Sequence, residues 1–249
     1  MSMTRNDGRG PLDLRPIRIE TNVLDHPMGS ALIRAGRTHV LCAVSVDERV
    51  PPFLEGSGRG WLTAEYAMLP AATHTRFARE SGRGGVKGRT HEIQRLIGRS
   101  LRSAVDLQAI GPRTLWVDCD VLQADGGTRT AAISGGFVAL ALALKRLADC
   151  ASFDRPPLIR TLAALSVGLR HGEVMLDLSY EEDSACDVDM NVVMSGQGEL
   201  IEIQGTAERA PFSRSQLGAL LDAAEGGLQR IGALQRDAIG ADTLRLLMG

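Results

Sequence analysis

The N-terminal part of the chain alternates apolar and polar positions in short segments bounded by turn residues. A period of two is typical of β-strands with one buried face. It predicts strands at residues 17–21, 30–34, 38–46 and 61–69. The chain therefore begins as a β meander, and the glycine-rich segment 56–60 is a flexible loop before the fourth strand.

Downstream of Thr90 the pattern changes to a helical period. Apolar side chains recur on one stripe, and Arg95, Arg99 and Arg102 share the opposite face. Gly111 and Pro112 should close this helix, and residues 114–122 have the composition of a buried strand. The apolar stripe consists of Ile93, Leu96, Ile97, Leu101, Ala104 and Val105.

The second half of the chain contains the same kinds of predicted element as the first half, strands and long helices, but it does not repeat the sequence of the first half. The sum is a mixed α/β fold, and no linker is long enough to require a domain boundary, so we expect residues 1–249 to form one domain. The predicted elements are a long helix at 130–147, a hairpin of strands 160–169 and 173–178 around His171 and Gly172, strands at 188–194 and 200–204, and a last helix from about Ser213.

Composition constrains the class of protein. The chain has 249 residues, 44% of them hydrophobic, which is enough for a core without disulfides. Its cysteines are far apart and form no CxxC pair, as in reduced thiols. Residues 1–16 are polar and have no apolar segment typical of a signal sequence, and no apolar run approaches the roughly 18 residues of a membrane span, so we expect a soluble, cytoplasmic protein. The cysteines are Cys42, Cys119, Cys150 and Cys186.

Charge is distributed unevenly although the formal net charge is only -2. Between residues 76 and 102 the basic residues outnumber the acidic ones by six, which is compatible with a channel for a polyanion or with an ordinary solvated face. Arg89 stands at the predicted start of a helix, where a positive charge opposes the helix dipole. Either an anion binds beside Arg89, or the helix tolerates a mildly unfavourable charge. The basic residues are Arg76, Arg79, Arg83, Lys87, Arg89, Arg95, Arg99 and Arg102, against Glu80 and Glu92.

A glycine-containing segment at residues 123–130 joins the predicted strand 114–122 to the predicted helix 130–147. Gly126 and Gly127 let the backbone approach a ligand, the helix N-terminus favours an anion, and Arg129 adds a bidentate donor. The segment therefore predicts a phosphate cradle, although it is neither a Walker A loop nor a GxGxxG motif. A tight turn in which Thr128 or Thr130 caps the helix explains the same residues.

Acidic side chains cluster at residues 181–189. If Asp187 opens a strand, period-two alternation puts Asp187 and Asp189 on one face, with Asp183 able to fold back from the preceding loop. Such carboxylates suit magnesium or manganese, and one with a raised pKa could donate a proton to a leaving group. An acidic loop on a solvated surface is the alternative.

These three features are together what phosphoryl chemistry on RNA requires. The histidines are scattered along the chain, and Ser134 does not lie in a G-x-S-x-G elbow. The sequence therefore offers no hydrolase triad.

The order of motifs along the chain resembles the ribonuclease PH family over almost the whole length. The segment 185–188 departs from the family pattern and leaves the role of Asp187 open. The matching segments are 14–16 (LRP), 60–66 (GWLTAEY), 68–70 (MLP), 73–76 (THTR), 78–80 (ARE), 88–90 (GRT), 92–99 (EIQRLIGR), 118–130 (DCDVLQADGGTRT), 182–185 (EDSA), 189–194 (DMNVVM) and 204–208 (QGTAE).

The resemblance implies a fold and an activity. The fold is one of duplicated βαβα halves whose mixed sheets pack on long helices, shared with polynucleotide phosphorylase and exosome ring subunits and usually assembled as a homohexamer, a trimer of dimers. The activity is phosphorolysis, in which inorganic phosphate removes 3'-terminal nucleotides from precursor tRNA, and from ribosomal RNA, as nucleoside 5'-diphosphates. The reverse reaction extends RNA.

The resemblance also implies a role for each matching residue. Inorganic phosphate is bound by Arg89, Gly127, Thr128 and Arg129. A magnesium ion is held by Asp183 and Asp189, which assist proton transfer, and Arg76, Arg79 and Arg83 guide the RNA 3' end. The competing hypotheses are a non-catalytic, exosome-type RNA-binding ring subunit and a metal-dependent hydrolytic nuclease, which has no need of a phosphate cradle.

Overall fold

The computed structural model describes residues 5–76, 78–80, 85, 88–150 and 153–249. Within these residues the chain forms two β-sheets and five α-helices, with a short 3-10 helix at Pro52–Leu54. Arg83 and Lys87, which the sequence placed in the basic stretch, lie outside the described residues.

The first sheet contains the strands of the predicted meander and one strand beyond it. Its order is β1-β2-β3-β5-β4, antiparallel except for the parallel pair β4 and β5. Parallel neighbours need a crossover, and the helix α1 at Gly88–Arg102 supplies it. The strands are β1 (Ile17–Thr21), β2 (Gly29–Ala35), β3 (Thr38–Asp47), β4 (Trp61–Met68) and β5 (Thr114–Gln123).

The helix α1 buries the predicted apolar stripe, including Ile93, Ile97 and Leu101, against β4. Its predicted end at Gly111 and Pro112 is wrong, because the helix stops at Arg102. The chain leaves the helix there because Val105 forms an antiparallel bridge with Leu158.

The helix α2, at Thr128–Cys150, lies between the two sheets. Small residues allow this close packing: a side chain at Gly135 would collide with Ile33 and Cys42 of the first sheet. On its other side, the Ser134 hydroxyl donates to the carbonyl of Ala164 at 3.1 Å and accepts from its amide at 3.0 Å.

By length and composition alone α2 could cross a membrane, since an 18-residue window has a mean hydropathy of 1.5. The helix passes this test on average hydropathy, whereas its apolar run ends at Lys145 and stays short of the roughly 18 residues of a membrane span. In addition, 78% of that window is buried inside the protein, which is the environment of a core helix.

The second sheet has the order β7-β6-β8-β9 and is antiparallel throughout. One face packs on the helix α4 (Arg214–Ile239), and the other turns towards α2 and α1. The predicted final helix is divided at Gly240, whose φ of 89° breaks the helix before α5 (Ala241–Met248). The strands are β6 (Leu162–Arg170), β7 (Glu173–Leu176), β8 (Val188–Ser195) and β9 (Leu200–Ala207).

The acidic segment, expected to be a loop, contains the short helix α3 at Tyr180–Ala185. Ser179 and Glu182 form a capping box, in which each side chain bonds the other residue's backbone amide. The Ser-x-x-Glu spacing was therefore a helix signal in the sequence. Acidic residues in the first turn also complement the helix dipole.

Candidate active site

The segment between β5 and α2 makes a tight turn with two glycines in the left-handed region, Gly126 at φ 74° and Gly127 at φ 64°. A side chain at Gly126 would collide with the backbone between Leu178 and Tyr180, so only glycine allows this turn to touch the second half of the chain. The Thr38 hydroxyl accepts from the amide of Asp125 at 2.9 Å and donates to the carbonyl of Gly126 at 2.7 Å. The turn is thus held from both sides.

The first residue of α2, Thr128, is fixed by a buried tyrosine. The Tyr66 hydroxyl donates to the Thr128 hydroxyl oxygen at 2.9 Å, and Tyr66 is only 5% exposed. Burial raises the pKa of Tyr66, and the positive charges of Arg89 and Arg129 act against that rise. Both guanidinium groups therefore lie on the Tyr66 side of the turn.

Arg89 and Arg129 leave most of their hydrogen-bonding capacity unused. Arg89 is exposed on the first turn of α1 and forms no hydrogen bond or ion pair with the described residues. Arg129 has only a weak partner, with its Nη1 4.0 Å from Oε1 of Glu92. Two cations beside a helix N-terminus with free donors form a site for a multiply charged anion.

Two carboxylates lie next to these cations. Burial raises the pKa of Asp183, the negative charge of Asp189 raises it further, and Arg129 and Arg89 act in the opposite direction. Asp189 lies on β8, and its Oδ1 is buried without a hydrogen-bond partner among the described residues. The structure therefore brings the predicted cations and the two predicted aspartates into one site.

Asp187, whose role the sequence left open, has a structural contact. Its Oδ2 accepts from the amide of His171 at 2.8 Å, in the turn between β6 and β7, where His171 has a φ of 52°. Its carbonyl accepts from the amides of Glu208 and Arg209. The strand begins only at Val188, so the condition for grouping Asp187 with Asp189 is not met.

The predicted RNA-guiding arginines are not all at the site. Arg76 and Arg79 are both exposed after β4, and the charge of Arg79 counteracts a burial-raised pKa of Asp120 on β5. The neighbouring Cys119 faces the core, so alternation puts Asp120 on the outer face of the first sheet, away from Asp183. A role for Arg83 stays a prediction, because this residue is outside the described part of the chain.

The exposed arginine face of α1 also contains fewer arginines than predicted. Arg95 and Arg99 are exposed, and Arg99 pairs with Glu202 of β9 at 3.2 Å. Arg102 instead donates to the carbonyl of Leu62 at 3.0 Å and lies 4.8 Å from the centre of the Trp61 ring. Its half-buried position removes it from the free cationic surface.

Sequence reasoning missed the residues that hold the site together, among them Arg15. Its Nη2 and Nε bind the two oxygens of Asp177 at 2.7 and 3.0 Å, and its Nη1 donates to the carbonyl of Asp125 in the cradle turn. Arg5 binds both oxygens of Glu182 in α3, at 2.7 and 2.6 Å. The segment 14–16 carried a family signal for Arg15, but no local pattern predicts partners so distant in sequence.

Within the described residues there is no cluster of three or more His, Cys, Asp or Glu side chains that could hold a metal ion. Asp183 and Asp189 still fit magnesium, which keeps several waters and needs only one or two carboxylates. The unpaired buried oxygen of Asp189 and the mutual repulsion of the pair are what a cation would relieve.

Comparison with known proteins agrees with this fold. Residues 13–145 match the family model described as "3' exoribonuclease family, domain 1", and residues 161–227 match domain 2 of the same family. The chain belongs to the 3' exoribonuclease family, the ribonuclease PH family. It is 56% identical to "Ribonuclease PH" of Bacillus cereus (strain B4264) over 237 residues, which cover 95% of this chain and 97% of that protein.

A "Ribonuclease PH" of Bacillus anthracis (strain A0248) has the same identity and coverage. Among solved structures, the Archaeoglobus fulgidus exosome with RNA bound to its active site is similar over 91% of each chain, with a TM-score of 0.77 and 22% identity. An archaeal exosome core matches with a TM-score of 0.73 and 20% identity, over 93% of this chain and 91% of that one. These two likenesses show the fold.

The comparisons confirm the family, the mixed α/β fold class and the class of enzyme that the sequence predicted.

Proposed function

We propose that this protein shortens RNA from its 3' end by phosphorolysis, with inorganic phosphate as co-substrate and nucleoside 5'-diphosphates as products. One observation carries the proposal: Arg89 and Arg129, with free donors beside the Thr128 helix start, lie near Asp183, whose carboxylate is also under the negative charge of Asp189. A hydrolytic nuclease would need the carboxylates but not the anion site. A non-catalytic ring subunit would need neither.

In this reaction the phosphate is held by Arg89, Arg129 and the turn from Gly127 to Thr128. A phosphate oxygen attacks the last phosphodiester in line, the new P–O bond forms, and the bond to the 3' oxygen of the preceding nucleotide breaks. That oxygen takes a proton and becomes the new RNA 3' end. Positioning and charge neutralisation supply most of the catalysis in phosphoryl transfer.

The proton comes from the pair formed by Asp183 and Asp189. Because burial and the negative charge of Asp189 raise the pKa of Asp183, a proton is held at this site more readily than on an isolated aspartate. We assign the donor to Asp189, whose buried Oδ1 has no partner among the described residues. The reverse reaction extends RNA from nucleoside diphosphates by the same path.

Magnesium is the proposed cofactor, held by Asp183 and Asp189. When bound there it would neutralise negative charge that develops on the reacting phosphoryl group. The protein side chains in turn orient the phosphate.

The proposed substrates are precursor tRNA and ribosomal RNA with single-stranded 3' ends, in the cytoplasm. Arg76, Arg79 and Arg83 would guide the RNA, and since Arg79 lies beside Asp120 on the outer sheet face, it would contact RNA outside the site of its own chain. We propose a homohexamer, a trimer of dimers, in which such arginines serve a neighbouring copy. Each chain would form one domain, because α2 packs on both sheets.

The proposal is tested with a single-stranded RNA labelled at its 3' end, incubated with protein and magnesium, with and without inorganic phosphate. Labelled nucleoside diphosphate that forms only with phosphate supports phosphorolysis. Monophosphate that forms in both tubes would mean a hydrolase, and no product would mean an RNA-binding subunit.

A further inference from the structure

The chain is poor in aromatic residues, at 4%, and both of its tyrosines flank the cradle turn. Tyr66 is buried and bonded to Thr128. Tyr180 is 66% exposed, and within the described residues its ring forms no aromatic contact and its hydroxyl forms no hydrogen bond. Its ring therefore contributes little to folding.

The position of the Tyr180 ring is set by the helix that carries it. Residues in a helix are about 100° apart, so Glu182 points away from Tyr180 by roughly 160°. Glu182 is 5% exposed and is held by Arg5 through two hydrogen bonds. Because α3 is anchored on the Glu182 side, Tyr180 is held towards solvent.

The backbone of Tyr180 lies between the two halves of the active site. The Tyr180 amide is 3.4 Å from Oδ1 of Asp125, and its backbone packs against Gly126. Asp183 follows three residues later, on the same face of α3. An exposed aromatic surface thus borders both the phosphate cradle and the carboxylate pair.

We infer that the Tyr180 ring stacks on one of the two bases that flank the scissile phosphodiester, and so positions the RNA 3' end. This inference rests on the proposed action on RNA. Every base has a flat face, so stacking holds RNA without selecting its sequence, as removal of successive nucleotides requires. Stacking needs the ring and not its hydroxyl.

The test compares Tyr180→Ala and Tyr180→Phe with the unchanged protein. We expect Tyr180→Ala to raise the KM for RNA about tenfold or more, by loss of one stacked base, while the KM for phosphate is unchanged. Tyr180→Phe should retain the KM of the unchanged protein. Phe53→Ala is the matched control, since Phe53 is 70% exposed but packs on Trp61 at the far end of α1.

A second readout does not depend on turnover. RNA with 2-aminopurine at either of its last two positions should lose fluorescence on binding, in the absence of phosphate, to the unchanged protein and to Tyr180→Phe. The loss should be smaller with Tyr180→Ala. If this pattern holds but no nucleoside diphosphate forms, phosphorolysis fails and the stacking inference stands.

Three results would overturn the inference. Tyr180→Ala could leave both the KM for RNA and the quenching unchanged. Tyr180→Phe could be as impaired as Tyr180→Ala, which would assign the effect to the hydroxyl. Finally, light scattering could show that Tyr180→Ala dissociates the assembly, which would place the ring in an interface between copies of the chain.

Discussion

Arg15 and Asp177 form a buried ion pair in which two guanidinium nitrogens of Arg15 bind the two oxygens of Asp177, each side chain being about 5% exposed. The backbone amide of Arg15 adds a bond of 2.7 Å to the same carboxylate. Arg15 also donates to the carbonyl of Asp125, so one side chain joins the loop before α3 to the phosphate cradle. The relative position of cations and carboxylates in the site therefore depends on this pair.

Removing only the cation should be costly. In Arg15→Ala, Asp177 would remain buried with only Arg9 as a cationic partner, at 3.7 Å, and breaking a buried pair costs up to about 3–5 kcal/mol. Urea unfolding should show this loss. The double variant Arg15→Met with Asp177→Asn carries neither charge and should recover most of it, since Asn tolerates the φ of 51° at this position.

The same double variant separates stability from site geometry. It still lacks the donor to Asp125, so we expect a folded protein with a raised KM for phosphate. A double variant with the KM of the unchanged protein would show that Arg15 does not position the cradle.

The ion pair also makes stability depend on pH. Burial alone would raise the pKa of Asp177, but the hydrogen bonds and charge of Arg15 outweigh it, so the pKa lies below the ordinary 3.8. This contribution to stability is complete above the unfolded pKa and is lost as pH falls through the folded value. The melting temperature of the unchanged protein should fall more steeply below about pH 4 than that of the double variant. Parallel curves would contradict this assignment.

The contribution of Asp183 to stability should depend on pH in the opposite direction. Its pKa is raised by burial and by Asp189, so in the absence of metal its ionised form opposes folding at neutral pH, and stability is gained as pH falls through the raised pKa. Asp183→Asn should therefore melt at a slightly higher temperature than the unchanged protein in metal-free buffer, since solvent reaches Asp183 and screens this repulsion, yet lose activity.

Asp187 provides the acidic control for this experiment. Because its carboxylate holds the His171 turn, Asp187→Ala should melt at a lower temperature and keep its kcat. If Asp187→Ala instead lost kcat while remaining folded, the division of roles between the aspartates would be wrong.

Arg129 should contribute mainly to catalysis. Loss of one preorganised charge donor typically costs about 2 to 4 kcal/mol of transition-state binding, so kcat/KM for phosphate should fall at least about thirtyfold in Arg129→Ala. Arg129→Lys should recover only part, because an ammonium group lacks the bidentate fork. Arg245→Ala, an exposed arginine in α5, is the control, and an equal loss there would point to a general effect of charge.

Much of the fold could be predicted because it depends on local pattern. The apolar stripe of α1 and the alternation in β1 to β5 are visible in the sequence, since each reflects which face a single element buries. The cradle at Gly127 to Arg129 and the aspartates of the site were also accessible, through residue type and family resemblance together.

The remainder depends on contacts between distant residues. α3 looked like a loop because its acidic residues repel one another, and Arg5, 177 positions away from Glu182, supplies the missing charge. Likewise, the sequence could not show that Asp187 and Asp189 have different roles. That difference depends on where β8 begins and on the contact between Asp187 and His171. Arg102 was assigned to the cationic face because its helical position allowed it, whereas the Trp61 ring and the Leu62 carbonyl decide its orientation.

Inorganic phosphate, bound between Arg89 and Arg129, is the proposed nucleophile. The most direct measurement uses unlabelled RNA, magnesium and radiolabelled inorganic phosphate, with chromatography of the released nucleotides. We expect the label to appear in the β-phosphate of nucleoside 5'-diphosphates, and Arg129→Ala to slow its appearance greatly. Release of unlabelled nucleoside monophosphates, with all label remaining in inorganic phosphate, would contradict it.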